Sequence, residues 1–262
     1  MALFSLAGKK VAVAGAGGHL GRAICKHLVD ESAHVFALDL DEAKLTELQQ
    51  KVVAGPGKIE CLTADLSSEL ERSSVAKEIG LRTDRLDGFV FAAGYVGTSK
   101  MLGWSGDFAH QTIEAWRKAL ELNLTAPFHL TQLLAPLLRR GSLPSVVNIG
   151  SIYAFVGPDW NLYRDLDMAN PAGYSASKGG LLQLTRWLSS TLAPEIRVNC
   201  VSPGGIARDQ HDDFVRRYVR KTPLRRMATE RDVVGAVAYL LSGASSYVTG
   251  QQLVVDGGLT AL

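Results

Sequence analysis

The chain has 262 residues, with 28 basic against 26 acidic side chains and an apolar fraction of 47%. Ordinary apolar content with a net charge of +2 excludes a disordered chain, leaves no electrostatic footprint for nucleic acid, and allows one large domain or two small ones. Cys25, Cys61 and Cys200 lack CxxC spacing, no apolar run approaches the ~18 residues of a membrane span, and the start is not signal-like, so no disulfide framework, metal or membrane is expected and the cytoplasm is the expected compartment.

Short β-branched runs at 10–14, 34–39, 59–64, 88–92, 145–149, 197–202 and 252–256 read as strands. Helical patterns near 20–30, 41–53, 68–79, 111–139, 174–193 and 229–242 alternate with them. Such alternation predicts an α/β protein: a doubly wound parallel sheet (Rossmann fold) of about seven strands with helices on both faces. No repeat or linker interrupts it, so 1–262 reads as a single domain. Two segments break the rhythm, 153–172 and 204–222, both on the side of the strand carboxyl ends where ligands sit in open parallel sheets. Both are candidate substrate loops. Arg216, Arg217, Arg220 and Lys221, with Arg225 and Arg226, follow Asp209, Asp212 and Asp213 and read as a solvated helix face.

After the first strand comes Gly15-Ala16-Gly17-Gly18-His19-Leu20-Gly21 and then a helix. Glycines permit a tight turn and close backbone approach to a pyrophosphate seated on the helix N-terminus. Asp39 ends the second strand, where a carboxylate accepts from ribose hydroxyls and repels a 2′-phosphate; Leu40 and Asp41 follow in place of a cation. NAD is therefore favoured over NADP. The competing role for Asp39, capping the next helix, suits Asp41 better. Arg22 either reaches a phosphate or is solvated, and His19 either donates to the pyrophosphate or fills a glycine's place. His27, His34, His110, His129 and His211 show no metal-ligand spacing.

Tyr174-Ser175-Ala176-Ser177-Lys178 puts a phenol and an ammonium on one helix face. A lysine one turn away favours the phenolate and so prepares the tyrosine for proton transfer. Ser151 ends a strand and can face the same cleft. Taken alone, the Tyr/Lys pair reads as two unrelated surface residues, and only its companions favour the catalytic reading.

Together these residues resemble the short-chain dehydrogenase/reductase family in its compact single-domain branch, and the resemblance spans essentially the whole chain. It includes Asp65 after the third strand, Ala92-Ala93-Gly94, Asn123 in Leu-Asn-Leu-Thr, Pro203-Gly204, and Tyr247-Val248-Thr249-Gly250-Gln251 with Val255-Asp256-Gly257-Gly258 near the end. The resemblance implies Tyr174 as general acid/base, Ser151 on the same substrate oxygen, Lys178 tuning the tyrosine and holding the nicotinamide ribose, and Asn123 supporting a proton-relaying water. It implies cofactor contacts at Gly15, Gly17, Gly18, His19, Leu20 and Gly21; at Asp39, Leu40, Asp65 and Leu66; at Ala92, Ala93 and Gly94; and at Tyr174, Lys178, Pro203, Gly204 and Ile206.

Several positions depart from the family pattern. His19 replaces the middle glycine, Phe91 and Ala92 replace bracing amides, and Arg208 stands where a threonine is common. Ser151 and Tyr174 are 23 residues apart, about ten more than usual in the family. The added stretch carries Trp160, Tyr163, Arg164, Asp165 and Asn170. It suits a polar, hydroxylated or phosphorylated substrate or, alternatively, a subunit contact, and is similar to members encoded with surface-sugar and nonulosonic-acid pathways. Tyr153, Trp160, Tyr163 and Arg208 are the substrate candidates. The expected function is hydride exchange between NAD(P) and a secondary alcohol or ketone, the added stretch pointing to one of sugar origin. A 3-oxoacyl-thioester reductase and a non-catalytic dinucleotide sensor or scaffold are the alternatives. Trp116, Leu120 and Leu130 on the helix at 111–139 either pair subunits, giving a homodimer or homotetramer, or pack internally.

Overall fold

Seven short runs pair side by side; the five central ones are almost wholly buried, with helices over both faces, and the edge strands β3 and β7 are half-exposed. They are β1 (Lys10–Ala14), β2 (His34–Asp39), β3 (Lys58–Thr63), β4 (Gly88–Phe91), β5 (Ser145–Ile149), β6 (Arg197–Pro203) and β7 (Gln252–Val255). The computed structural model describes residues 3–52, 55–97 and 99–261. The sheet is wholly parallel, in the order β3-β2-β1-β4-β5-β6-β7. Each predicted strand appears, with ends within about a residue. The helices are α1 (His19–Asp30), α2 (Glu42–Val52), α3 (Glu69–Arg82), α4 (Ile113–Leu120), α5 (Ala126–Leu138), α6 (Ala172–Leu192), α7 (Asp212–Lys221) and α8 (Glu230–Leu241). Val53, the last residue of the predicted helix at 41–53, lies outside the described residues.

Alternation along the strands sorts side chains between two cores. Ala12, Phe36, Phe89, Val146 and Val198 face one side with α3 and α5, while Val11, Val35, Val90, Val147 and Val201 face the other with α1, α2 and α8. Strand order reverses between β1 and β4, so the loops after these two strands open a crevice at their carboxyl ends.

Two expectations change. The predicted helix at 111–139 is broken: α4 ends at Leu120, a π-helical turn spans Glu121–Thr125, and α5 follows. Pro127 explains the break, since it lacks the N–H that a continuous α-helix would donate to the Asn123 carbonyl. Arg72, 2% exposed, braces the turn from α3 by pairing with Glu121 at 2.8 Å and donating to the Leu66 carbonyl and His129 Nδ1. The segment 204–222 is not all loop, because it contains α7. Phe214 and Tyr218 are buried one turn apart on one side, with the basic residues of the other side largely in solvent.

Strand β5 and helix α6, whose ends line the cleft, are joined deeper in the core by a buried amide: Asn148 Nδ2 donates to Thr185 Oγ1 at 2.9 Å. Thr185→Val keeps the shape and orphans that amide in the core. The variant should lose about 1–3 kcal/mol of unfolding free energy, read from urea denaturation.

Candidate active site

The glycine loop is shaped for close backbone approach. Gly15 has φ of +82° and a Cβ there would sit 2.5 Å from the Ala93 nitrogen; a Cβ on Gly21 would collide with the Gly15 carbonyl. Gly18 has no such restriction, its nearest neighbour lying at 3.4 Å. Asp39 closes the turn: its Oδ2 accepts from the Gly17 N–H at 2.8 Å and its Oδ1 from the Asp41 N–H at 3.1 Å. Helix α1 begins at His19, exposed, with no acid in its first turn, so its N-terminal dipole and free-pointing amides face the loop mouth. This cradle fits a dinucleotide pyrophosphate, with Asp39 at the ribose end. Arg22 is turned inward, donating to the Gly17 carbonyl at 2.8 Å and pairing with Glu47 at 3.0 Å.

The remaining cofactor candidates divide. Gly94 lines the crevice, where a Cβ would come within 2.9 Å of Asn123 Oδ1 and 3.7 Å of Lys178 Nζ. Ala92 and Ala93 are half-buried beside it, Pro203 and Gly204 close β6 on the far side, and Leu20 and Ile206 pack on the α1–α8 core. Leu40 is exposed at the mouth. Asp65 binds its own turn, accepting from the Ser67 N–H and hydroxyl at 2.9 and 2.7 Å. Leu66 is buried in the α3 core, which leaves only its backbone for a ligand.

Ser151, Tyr174, Lys178 and Asn123 converge. Ser151 leaves β5 extended, is 5% exposed, and its hydroxyl accepts from the Tyr153 N–H at 3.2 Å. Tyr174 and Lys178 stand one turn apart on α6, and the Lys178 ammonium lies 5.9 Å from the centre of the Tyr174 ring. Lys178 is buried and donates to the Ile149 carbonyl at 2.8 Å. Asn123 is wholly buried: its Oδ1 accepts from the Tyr95 N–H at 2.8 Å, and its Nδ2 donates to the Tyr95 carbonyl and to Ser177 Oγ. The side chain is thus committed to holding the loop after β4, which leaves its main-chain carbonyl, relieved of an α-helical donor by Pro127, for other partners.

One electrostatic expectation is corrected. Burial raises the Tyr174 phenol above its ordinary value, and hydrogen bonding with Ser151 pulls it back only in part. The lysine does not dominate because it is desolvated itself, which brings it down to about 8. Tyr95 and Trp104, which pack against Tyr174, escaped the sequence reading. Their only local signal was an aromatic directly after Ala-Ala-Gly.

Of the substrate candidates, Tyr153 and Tyr163 share a hydrogen bond at 2.7 Å, and the Tyr153 ring stands edge-on to Tyr174 with centroids 6.4 Å apart. Trp160 is largely exposed and packs on Tyr163. Arg208 turns away to pair with Glu230 at 2.5 Å. The segment 153–172 is sealed onto α7: Tyr163 packs on Phe214, and Arg217 donates to the Arg164 carbonyl at 2.6 Å. Tyr218, raised to about 12 by burial, accepts from the Gly205 N–H and so ties α7 to the turn after β6.

A family described as enoyl-(acyl carrier protein) reductase matches residues 15–260. The cyclopentanol dehydrogenase of a Comamonas strain is 31% identical over 260 residues, covering 97% of each chain. A short-chain dehydrogenase of Leptospira borgpetersenii crystallised with NAD+ superposes with a TM-score of 0.84 at 31% identity, over 97% of this chain and 93% of that one. The RhlG/NADP complex of Pseudomonas aeruginosa gives a TM-score of 0.87 at 27% identity over 99% of each.

The buried ammonium makes a pH-dependent prediction. The unfolded chain holds this proton up to about 10.5, whereas the native state releases it near 8. Stability is therefore penalised fully below pH 8, and the penalty fades as pH rises from 8 to 10.5. Relative to wild type, Lys178→Met should be favoured most below this window, and its relative stability should fall by roughly 3 kcal/mol across it. Urea unfolding of both proteins through the window checks this; a constant difference would refute it.

Proposed function

The chain belongs to the short-chain dehydrogenase/reductase family, and from that premise we propose that it interconverts a secondary alcohol and a ketone of a small polar, sugar-like substrate with NAD in preference to NADP. It is an NAD(P)-dependent oxidoreductase acting on CH–OH groups. The observation that carries the residue assignments is the convergence of Ser151, Tyr174 and buried Lys178 beside Gly94, at the crevice where strand order reverses.

The glycine loop and the start of α1 would hold the pyrophosphate, Asp39 the adenosine ribose hydroxyls, and Lys178 the second ribose. When bound, the nicotinamide supplies the hydride donor or acceptor. In alcohol oxidation Tyr174 takes the hydroxyl proton as hydride leaves the carbon; in ketone reduction it returns that proton. Ser151 hydrogen-bonds the same oxygen and holds the reacting carbon in line. The Lys178 ammonium stabilises the phenolate, and the freed Asn123 carbonyl helps hold a water on the proton's route to solvent. These fixed donors act where charge develops, which is where catalysis gains most.

Preference for NAD rests on the charges near Asp39. The nearby cations Arg22 and Lys44 are paired with Glu47 and Asp41, which leaves Asp39 facing the ribose with no guanidinium or ammonium free beside it among the described residues. The same feature counts against a 3-oxoacyl-thioester reductase of NADPH-dependent type. A sensor or scaffold would have no use for a lysine kept desolvated beside a tyrosine. Exposed Trp116, Phe128 and Trp187 on α4, α5 and α6 form the face on which we place a second copy of the chain, whereas Leu130 packs internally. Among the described residues no helix is long and apolar enough to cross a membrane, and the free thiols of Cys25, Cys61 and Cys200 fit a reducing cytoplasm.

Tyr174→Phe should lower kcat roughly a hundredfold to ten-thousandfold while NADH affinity, followed by fluorescence titration, stays close to wild type. Normal turnover would remove Tyr174 from the chemistry. Asp39→Ala should shrink the NADH-over-NADPH ratio of kcat/KM on the order of tenfold; a wild type that prefers NADPH would overturn the cofactor assignment.

A further inference from the structure

Asn170 lies just before α6, placed by Pro171, which restricts it to extended backbone. The residue is 6% exposed, and its Oδ1 accepts from the Ser175 hydroxyl at 3.1 Å. Its Nδ2 is buried and, among the described residues, bonded to nothing. Buried amide donors are almost always satisfied, so this one calls for an acceptor.

The surroundings indicate what kind. Tyr153, two residues beyond Ser151, stands edge-on to Tyr174 and shares its hydroxyl bond with Tyr163 at 2.7 Å. The Asn170 amide is near enough to Tyr153 to favour its phenolate, yet burial outweighs this and holds both phenols above their ordinary value. At neutral pH the two phenols are therefore uncharged and carry two hydrogens, only one of which lies between them. One phenolic O–H and the Asn170 N–H remain, the phenol pair reaching Tyr174 through the Tyr153 ring. The cations of this wall are committed elsewhere: Arg164 to Asn161, Arg217 to backbone carbonyls, Lys221 to Asp159 and Arg208 to Glu230. The vacant partners are thus neutral donors, which suit a neutral oxygen better than a carboxylate or phosphate.

We infer that Asn170 and the Tyr153–Tyr163 pair form a subsite for a second, uncharged oxygen on the carbon next to the reacting one, so that the enzyme selects vicinal diols and α-hydroxyketones over lone alcohols. The inference rests on the oxidoreductase reading and narrows its substrate class. A site whose buried donors need a partner discriminates strongly against an analogue that lacks it, because the donors are then left unpaired.

The test compares cis-cyclohexane-1,2-diol with cyclohexanol as NAD+-dependent substrates of the full chain. Wild type should favour the diol in kcat/KM by about tenfold or more. In Asn170→Leu and in Tyr153→Phe, which delete different donors by independent changes, the ratio should fall toward unity. Equal kcat/KM for the two alcohols in wild type, or a ratio unmoved in both variants, overturns the subsite and leaves the oxidoreductase reading intact, since turnover itself reports that reading. A thermal-shift comparison of the two alcohols on the wild-type NADH complex needs no variant to fold: added stabilisation by the diol alone supports the subsite. Turnover of neither alcohol, with no diol-specific stabilisation, overturns it.

Discussion

The site depends on how one ammonium is kept inside the protein. Lys178 is 4% exposed, and the carbonyl of Ile149, the last residue of β5, holds it at 2.8 Å. A lysine in such surroundings is tolerated only where fixed dipoles replace water. The strand end that supplies the dipole also delivers Ser151 two residues later, and the helix that carries the lysine carries Tyr174 one turn earlier. This hydrogen bond, with Asn148–Thr185 deeper in the core, therefore ties together the two elements that hold the reacting groups. Desolvation then determines the protonation behaviour: the ammonium is brought down to about 8 and the phenol is pushed up, so the two are driven apart in proton affinity and the phenol is the group that keeps its proton more firmly.

Around this pair the chain separates its charges by task. At the cofactor wall Asp39 is held by backbone N–H groups, while Arg22 is committed to a backbone carbonyl and to Glu47. At the substrate wall the Tyr153–Tyr163 pair and the Asn170 amide are uncharged, while Arg217 and Lys221 of α7 fasten that helix to the 153–172 segment. That fastening explains why so many charged residues in the added stretch do not face the substrate. They hold the wall on which the neutral donors stand.

The sheet was legible because strands buried on both faces are written as unbroken apolar runs, and each such run appears in place. The glycine loop, Ser151 and the Tyr174/Lys178 pair were legible because their spacing is local. Gly15 and Gly21 are glycines for steric reasons visible in the loop, but Gly18, part of the same pattern, has no such need. The pairing of Arg208 was not legible because its partner Glu230 lies on α8, and no spacing rule reports an ion pair made across the fold. The interruption of the helix at 121–125 did have a local signal in Pro127, four residues beyond Asn123, and a strict reading of helical hydrogen bonding finds it. The α7 helix also had one, in Phe214 and Tyr218 a turn apart, masked by the density of charge around them.

Asn170 is a different case. Sequence shows a polar residue before a proline, which any turn would contain; only the packed structure shows that one end of its amide is satisfied by Ser175 and the other end is left over. Asn123 satisfies its amide on both ends against backbone and a neighbouring serine, whereas the Asn170 donor is left unmatched among the described residues. Asn123 fixes the protein to itself, whereas Asn170 has a donor to offer to something else. The difference between the two asparagines separates the part of the site that builds the reaction geometry from the part that chooses what enters it.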